Sequence, residues 1–158
     1  MNGETGIRDL QTGLYARDYF DEIIGRELER SRRHDIALSV LSVVLSNRAS
    51  LIQSAGEEAF DIVIGQAAKT LQLSVRETDL VFRWEIDEFL VLLFEADLDV
   101  CLHKVQQLTN VFRPWREAQG PIPHSVKIRV GAATLEKDIV FAGVLQAARA
   151  AARNQTRS

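Results

Sequence analysis

Apolar positions recur at helical spacing over residues 15–34, where Phe20, Ile23, Ile24 and Leu28 share one side of a predicted helix. The opposite side carries Arg26, Glu27, Glu29, Arg30, Arg32 and Arg33, a mixed-sign face of the kind water solvates. Residues 36–45 are nearly continuously apolar and rich in β-branched side chains, the pattern of a strand covered on both faces. Helical spacing returns over residues 50–75 through Phe60, Val63, Ile64, Ala67, Leu71 and Val75, and Gly56 divides that stretch into two helices. Two apolar runs, residues 80–84 and 88–94, are joined by a link short enough for a hairpin. Residues 98–112 read as a helix with Leu98, Cys101, Leu102, Val105, Leu108 and Phe112 facing inward, and Pro114, Gly120, Pro121 and Pro123 mark a loop. Residues 126–132 alternate as a strand ending near Gly131, and residues 141–153 form an alanine-rich closing helix.

The order helix, strand, helices, hairpin, helix, strand, helix predicts an α+β domain, with a split βαβ arrangement at its middle. The 158 residues suffice for one domain, residues 1–158, and are too few for two ordinary ones. A chain of this size buries enough surface to stay folded without a disulfide or a metal. Its 46% hydrophobic and 26% charged residues argue against a disordered, fibrous or membrane-embedded chain. A net charge of −3 gives no reason to expect nucleic acid or an anionic membrane as partner. The single cysteine, Cys101, cannot form an internal disulfide and reads as a small core residue. His34, His103 and His124 show no metal-ligand spacing. Residues 1–9 are polar with no secretion signal, and the longest apolar run, residues 36–45, is well short of a membrane span. A cytoplasmic protein is the expectation.

Three segments carry a resemblance. Asp9-Leu10-Gln11-Thr12-Gly13-Leu14-Tyr15-Ala16-Arg17 resembles the D-x-L-T-G-L-x-N-R opening of GGDEF domains, the diguanylate cyclase family. Arg76-Glu77-Thr78-Asp79 is similar to the family's R-x-x-D segment, and Glu85-Ile86-Asp87-Glu88-Phe89 falls where its GG(D/E)EF signature stands. Residues 126–133 resemble a later strand read as V-T-V-S-I-G-V-A. The resemblance spans residues 9–154, with gap-free spacing from Val44 to Leu108. It implies a palm fold like that of nucleotide cyclases, with a central, mostly antiparallel sheet of about five strands and helices packed around it.

In that family two GTP-loaded domains condense their substrates into cyclic di-GMP, with Mg²⁺ held by carboxylates against the phosphates. The resemblance places Val44 where a strand-end aspartate would ligate the metal and Ile52 where an asparagine would bond guanine; neither side chain can do so. The signature glycines are replaced by Glu85, which brings negative charge towards a triphosphate, and by Ile86, whose β-branch resists positive φ. A phosphate-binding lysine expected on the last helix has no counterpart in residues 152–156, which read Ala-Arg-Asn-Gln-Thr. Asp61 matches a second guanine contact, Asp87 a metal ligand, and Glu88 a carboxylate important for the chemistry.

The resemblance also assigns Arg76 and Asp79 to an inhibitory site for the product, where arginine offers a planar fork of donors and aspartate two acceptors. Gln107 stands where a further arginine is usual; Lys104, one turn earlier, substitutes as a point charge, and Arg83 adds positive charge nearby. The plainer alternatives are an Arg76–Asp79 pair at a helix end, Asp87 and Glu88 as solvated hairpin carboxylates, Trp84 as sheet packing, and Arg30, Arg32 and Arg33 as a solvated helix end. The expectation is an enzymatically inactive GGDEF-like module with no cofactor or metal, whose partner is a signalling protein or a second copy of itself. The alternative is a cyclic di-GMP receptor that uses Arg76 and Asp79. Nucleic-acid binding lacks both charge and motif, and an active cyclase conflicts with Val44, Ile52, Glu85 and Ile86 together.

Overall fold

A computed structural model describes residues 7–136 and 140–154. Gln155 and Thr156, part of the stretch searched for a phosphate-binding lysine, lie outside the described residues. In chain order the elements are β1 (Tyr15–Ala16), α1 (Arg17–His34), β2 (Leu38–Leu45), α2 (Arg48–Ala55), α3 (Glu57–Ser74), β3 (Leu80–Glu85), β4 (Glu88–Phe94), α4 (Leu98–Arg116), β5 (Ile128–Thr134) and α5 (Phe141–Arg153).

The sheet order is β1-β3-β4-β2-β5, with β1 parallel to β3 and every other pairing antiparallel. Strand β2 lies between β4 and β5 and is buried along its whole length, so it needs apolar side chains on both faces. Leu41, Val43, Phe89 and Val91 face a cluster that includes Leu51 of α2, Phe60 and Ile64 of α3, and Cys101 and Leu108 of α4. Leu38, Val40, Leu90 and Leu92 face the other way, onto Phe20 and Ile23 of α1 and Val144 and Ala148 of α5. The α+β architecture expected from the element order is therefore present, as a mostly antiparallel five-stranded sheet between two helical layers.

Several boundaries differ from the pattern-based reading. The first helix begins at Arg17, because Tyr15 and Ala16 pair as a short edge strand with Phe82 and Arg83. Leu98 and Leu102 are each 54% exposed; Cys101, Leu108, Phe112 and Trp115 hold α4 to the core, and the two leucines flank that line instead of joining it. Pro114 lies inside α4, where Phe112 and Trp115 pack edge-to-face at 4.9 Å and carry the helix past the missing N–H. Strand β5 is shifted to Ile128–Thr134, since the Val126 N–H donates to the Trp115 carbonyl and not to a neighbouring strand.

The hairpin between β3 and β4 turns through Ile86 and Asp87 without positive φ at either; the non-glycine residues with positive φ are Asp35, Glu95 and Ala118 among the described residues. A register shift between Arg83 and Glu85 accompanies this turn, so Ile86 escapes the conformation its β-branch resists. Gly56, with φ of 94°, separates α2 from α3 as expected.

Candidate functional site

The signature hairpin is assembled from distant parts of the chain. Val44 on β2 pairs with Glu88 on β4 and with Arg129 on β5, so all three share one cross-strand row on the face covered by α5. Helix α5 comes close because Gly131, one row further along β5, has no side chain; a Cβ there would collide with the backbone of Ala148, Ala151 and Ala152. Arg149 and Arg153, four residues apart, consequently face the hairpin together.

Glu88 is fully buried and fully engaged. Arg149 donates to it in bidentate fashion, Nε to Oε2 at 2.8 Å and Nη2 to Oε1 at 2.9 Å. Arg153 Nη2 donates to Oε1 at 2.9 Å, and the Ser42 hydroxyl donates to Oε2 at 2.8 Å. Burial alone would raise the Glu88 carboxyl, but the hydrogen bonds from Arg149, Ser42 and Arg153 outweigh it and hold the group below the usual carboxylate range. The same contact makes the Arg149 guanidinium hold its proton more tightly. Asp87 lies 3.7 Å from Arg153. Glu88 is thus no solvated hairpin-tip carboxylate: a strand position pointing under α5 removes it from water. The last helix also does present cations to the signature: Arg153, within residues 152–156, and Arg149, one turn before it. Their fourfold spacing in an alanine-rich helix was the available signal.

Glu85 stands opposite Glu88 in the β3–β4 register and turns to Arg17, pairing with it at 2.8 Å in a half-exposed contact while Arg17 stacks 4.1 Å above the Trp84 ring. Trp84 is buried against Phe20, in agreement with a packing role. Ile86 is 53% exposed. Arg83 is nearly buried and donates to Asp9, to Gln11 and to the carbonyls of Glu85 and Ile86. It ties the opening Asp9–Gly13 turn to the hairpin, with four donated hydrogen bonds there, at the opposite end of β3 from Arg76. Gln11 also donates to Asp61 at 3.0 Å, a contact no spacing rule predicts. Ile52 is half-buried against the apolar core beside α3.

The Arg76–Asp79 pair stands at the other end of β3. Arg76 Nε and Nη2 each donate to Asp79 at 3.0 Å, and the backbone N–H groups of Arg76 and Phe94 donate to the same carboxylate. Arg76 also donates to the Phe94 carbonyl. The Asp79 side chain is fully buried while that of Arg76 is 47% exposed. The hydrogen bond to Asp79 holds Arg76 charged more firmly than usual. Lys104 donates to the Ser74 carbonyl at 2.6 Å and to Gln107 at 2.8 Å. Desolvation lowers its pKa, an effect that Asp79 opposes and Arg76 reinforces. The structure thus brings Arg76, Asp79 and Lys104 together and commits most of their bonding capacity to the protein itself.

Among the described residues no three His, Cys, Asp or Glu side chains gather as a metal site requires, and no helix is long and apolar enough to cross a membrane.

A family model described as the GGDEF domain of diguanylate cyclases matches residues 7–157. The chain is 28% identical over 86 residues to the probable diguanylate cyclase DgcC of Escherichia coli K12, covering 54% of this chain and 23% of that protein. It is 27% identical over 107 residues to the diguanylate cyclase DosC of the same organism, covering 68% and 23%. The chain therefore spans under a quarter of the length of these relatives. Among solved structures it resembles diguanylate cyclase SiaD in complex with its activator SiaC from Pseudomonas aeruginosa, with TM-score 0.82 and 27% identity over 94% of this chain and 57% of that one. The GGDEF domain of TpbB (YfiN) from the same organism gives TM-score 0.77 and 27% identity over 95% and 90%. The GGDEF domain of DgcB from Caulobacter crescentus in complex with cyclic di-GMP shares the fold, with TM-score 0.79 at 15% identity over 91% and 86%. A family model spanning nearly the whole sequence, and a sheet with helices that superpose on those domains, agree: the chain belongs to the GGDEF domain family.

Proposed function

We propose that this GGDEF domain is a catalytically inactive regulatory module of cyclic di-GMP signalling, acting through contact with a signalling protein or with a second copy of itself. The reading rests above all on the state of Glu88. A carboxylate that is to hold Mg²⁺ against a triphosphate must offer lone pairs to the ion, usually beside a second carboxylate. Here Glu88 already accepts from two guanidinium groups and a hydroxyl; its partner on β2 is Val44, and its acidic partner on β3, Glu85, is paired with Arg17. The donor set does not suit a divalent cation, so no step is derived through one. Ile52 offers no donor or acceptor to a base, and Asp61 is taken up by Gln11. A protein partner is in keeping with the family, since SiaD is seen in complex with its activator SiaC. Incubation with GTP and Mg²⁺, followed by chromatography of the nucleotides, is expected to yield no cyclic di-GMP; steady product formation would refute the reading.

A second reading is favoured by the convergence of Arg76, Asp79 and Lys104 on one surface, and DgcB is seen in complex with cyclic di-GMP. The ligand would have to take Arg76 from Asp79 and the Phe94 carbonyl. Calorimetric titration with cyclic di-GMP separates the two readings. Heat saturating at tens of micromolar ligand and abolished by Arg76→Ala supports the receptor, whereas no heat supports the protein-contact module.

A further inference from the structure

Helix α5 is held differently from the long helix α3. Its buried side chains are Val144, Ala148 and Ala152, whereas α3 buries Phe60, Val63, Ile64, Ala67, Ala68 and Leu71. Small side chains let α5 approach the backbone at Gly131, while its larger ones, Phe141 stacked on Phe20 and Leu145, are only partly buried. No side chain caps its N-terminus, and a helix of 13 residues is marginal by itself in water. What α5 does possess is a directional attachment: three charge-assisted hydrogen bonds from Arg149 and Arg153 to a carboxylate that no water reaches.

The groups around that attachment reinforce it from each neighbouring element. Ser42 of β2 fixes the Glu88 carboxylate, and Asp87 of the turn stands beside Arg153. Glu85 of β3 favours the charged form of Arg149. Arg129 of β5, in the same row as Glu88, adds a further positive charge, and its Nε is buried with no hydrogen-bond partner. The three arginines Arg129, Arg149 and Arg153 match the three carboxylates Glu85, Asp87 and Glu88 there, so no metal ion is needed to balance Glu88.

We propose that α5 is a conditional strap: the grip of Arg149 and Arg153 on Glu88 fixes its docking over β2 and β5, and loss of that grip frees α5 while the sheet beneath stays folded. Val144 and Ala148 share an apolar cluster with Leu38, Val40, Leu90 and Leu92, so release bares part of that sheet face. The sheet survives because β2 keeps β4 and β5 as partners, and the opposite face keeps its own core under α2, α3 and α4. This rests on the geometry of the cluster and stands whether or not the domain turns over GTP.

Hydrogen exchange followed by mass spectrometry on the whole chain tests it. In Glu88→Gln, and in the double variant Arg149→Ala with Arg153→Ala, the α5 amides are expected to exchange roughly tenfold faster or more, while β2 and β4 amides keep their wild-type rates. Adding EDTA or Mg²⁺ to the wild-type protein is expected to leave α5 exchange unchanged. Unaltered α5 exchange in both variants, acceleration of α5 and the sheet together, or protection of α5 by Mg²⁺ would each overturn the proposal. Arg153→Ala alone keeps the bidentate Arg149 contact and with it a folded protein. A selective rise of about threefold in α5 exchange is expected there, and no rise counts against the strap.

Discussion

Two buried carboxylates, Asp79 and Glu88, stand at opposite ends of the β3–β4 hairpin, and both are held by arginine. Asp79 is held by a neighbour three residues away and by the backbone of its own loop and of Phe94. Glu88 is held by residues 61 and 65 positions further on, from the last helix. The first pair closes a loop and leaves half of Arg76 in water; the second joins α5 to the sheet and gives a hidden charge two directly bonded counter-charges. The same chemistry therefore serves local shape at one end and tertiary assembly at the other.

If that contrast is right, Glu88→Gln has the largest effect. The amide would turn a donor towards two guanidinium groups left without a carboxylate, costing about 3 kcal/mol in the docking of α5 on the sheet, read from the exchange of the α5 amides. Next comes Gly131→Ala, which forces α5 away from β5 and lengthens the arginine contacts without touching them. A loss of about 2 kcal/mol is expected, with the faster α5 exchange of the Glu88 variant. At the other end Asp79→Ala is expected to cost about 1.5 kcal/mol, because the N–H groups of Arg76 and Phe94 lose their acceptor. Arg76→Ala should cost under about 1 kcal/mol, since its side chain is half in water and screened. Equal losses for the two would mean that Arg76, not the buried acceptor, organises the loop. The smallest effect belongs to Arg17→Ala, which breaks the exposed pair with Glu85 and should stay within about 0.5 kcal/mol apart from lost stacking on Trp84.

The same contrast explains what the sequence disclosed. The nearly unbroken apolar run of β2, the division at Gly56 and the Arg76–Asp79 pair all depend on neighbours within a few residues, and the local pattern reports such neighbours directly. The Glu88 cluster depends on how α5 crosses the sheet, which Gly131 permits and no local pattern states. Counting positions placed Val44, Ile52, Glu85 and Ile86 correctly on the strand, the helix and the hairpin. It could not tell that the turn would avoid positive φ through a register shift, or that Arg83 would be consumed by Asp9 and Gln11. Leu98 and Leu102 show the same limit: helical spacing gives a face, and only packing decides how wide the buried part of that face is.

The most direct test of the account is a calorimetric titration of the protein with GTP in the presence of Mg²⁺. With Glu88 occupied by Arg149 and Arg153 and Val44 beside it, no saturable, Mg²⁺-dependent heat is predicted at GTP concentrations of tens of micromolar. Saturable binding that needs Mg²⁺ and disappears in Glu88→Gln would show that the carboxylate is available to a metal, and would contradict the account.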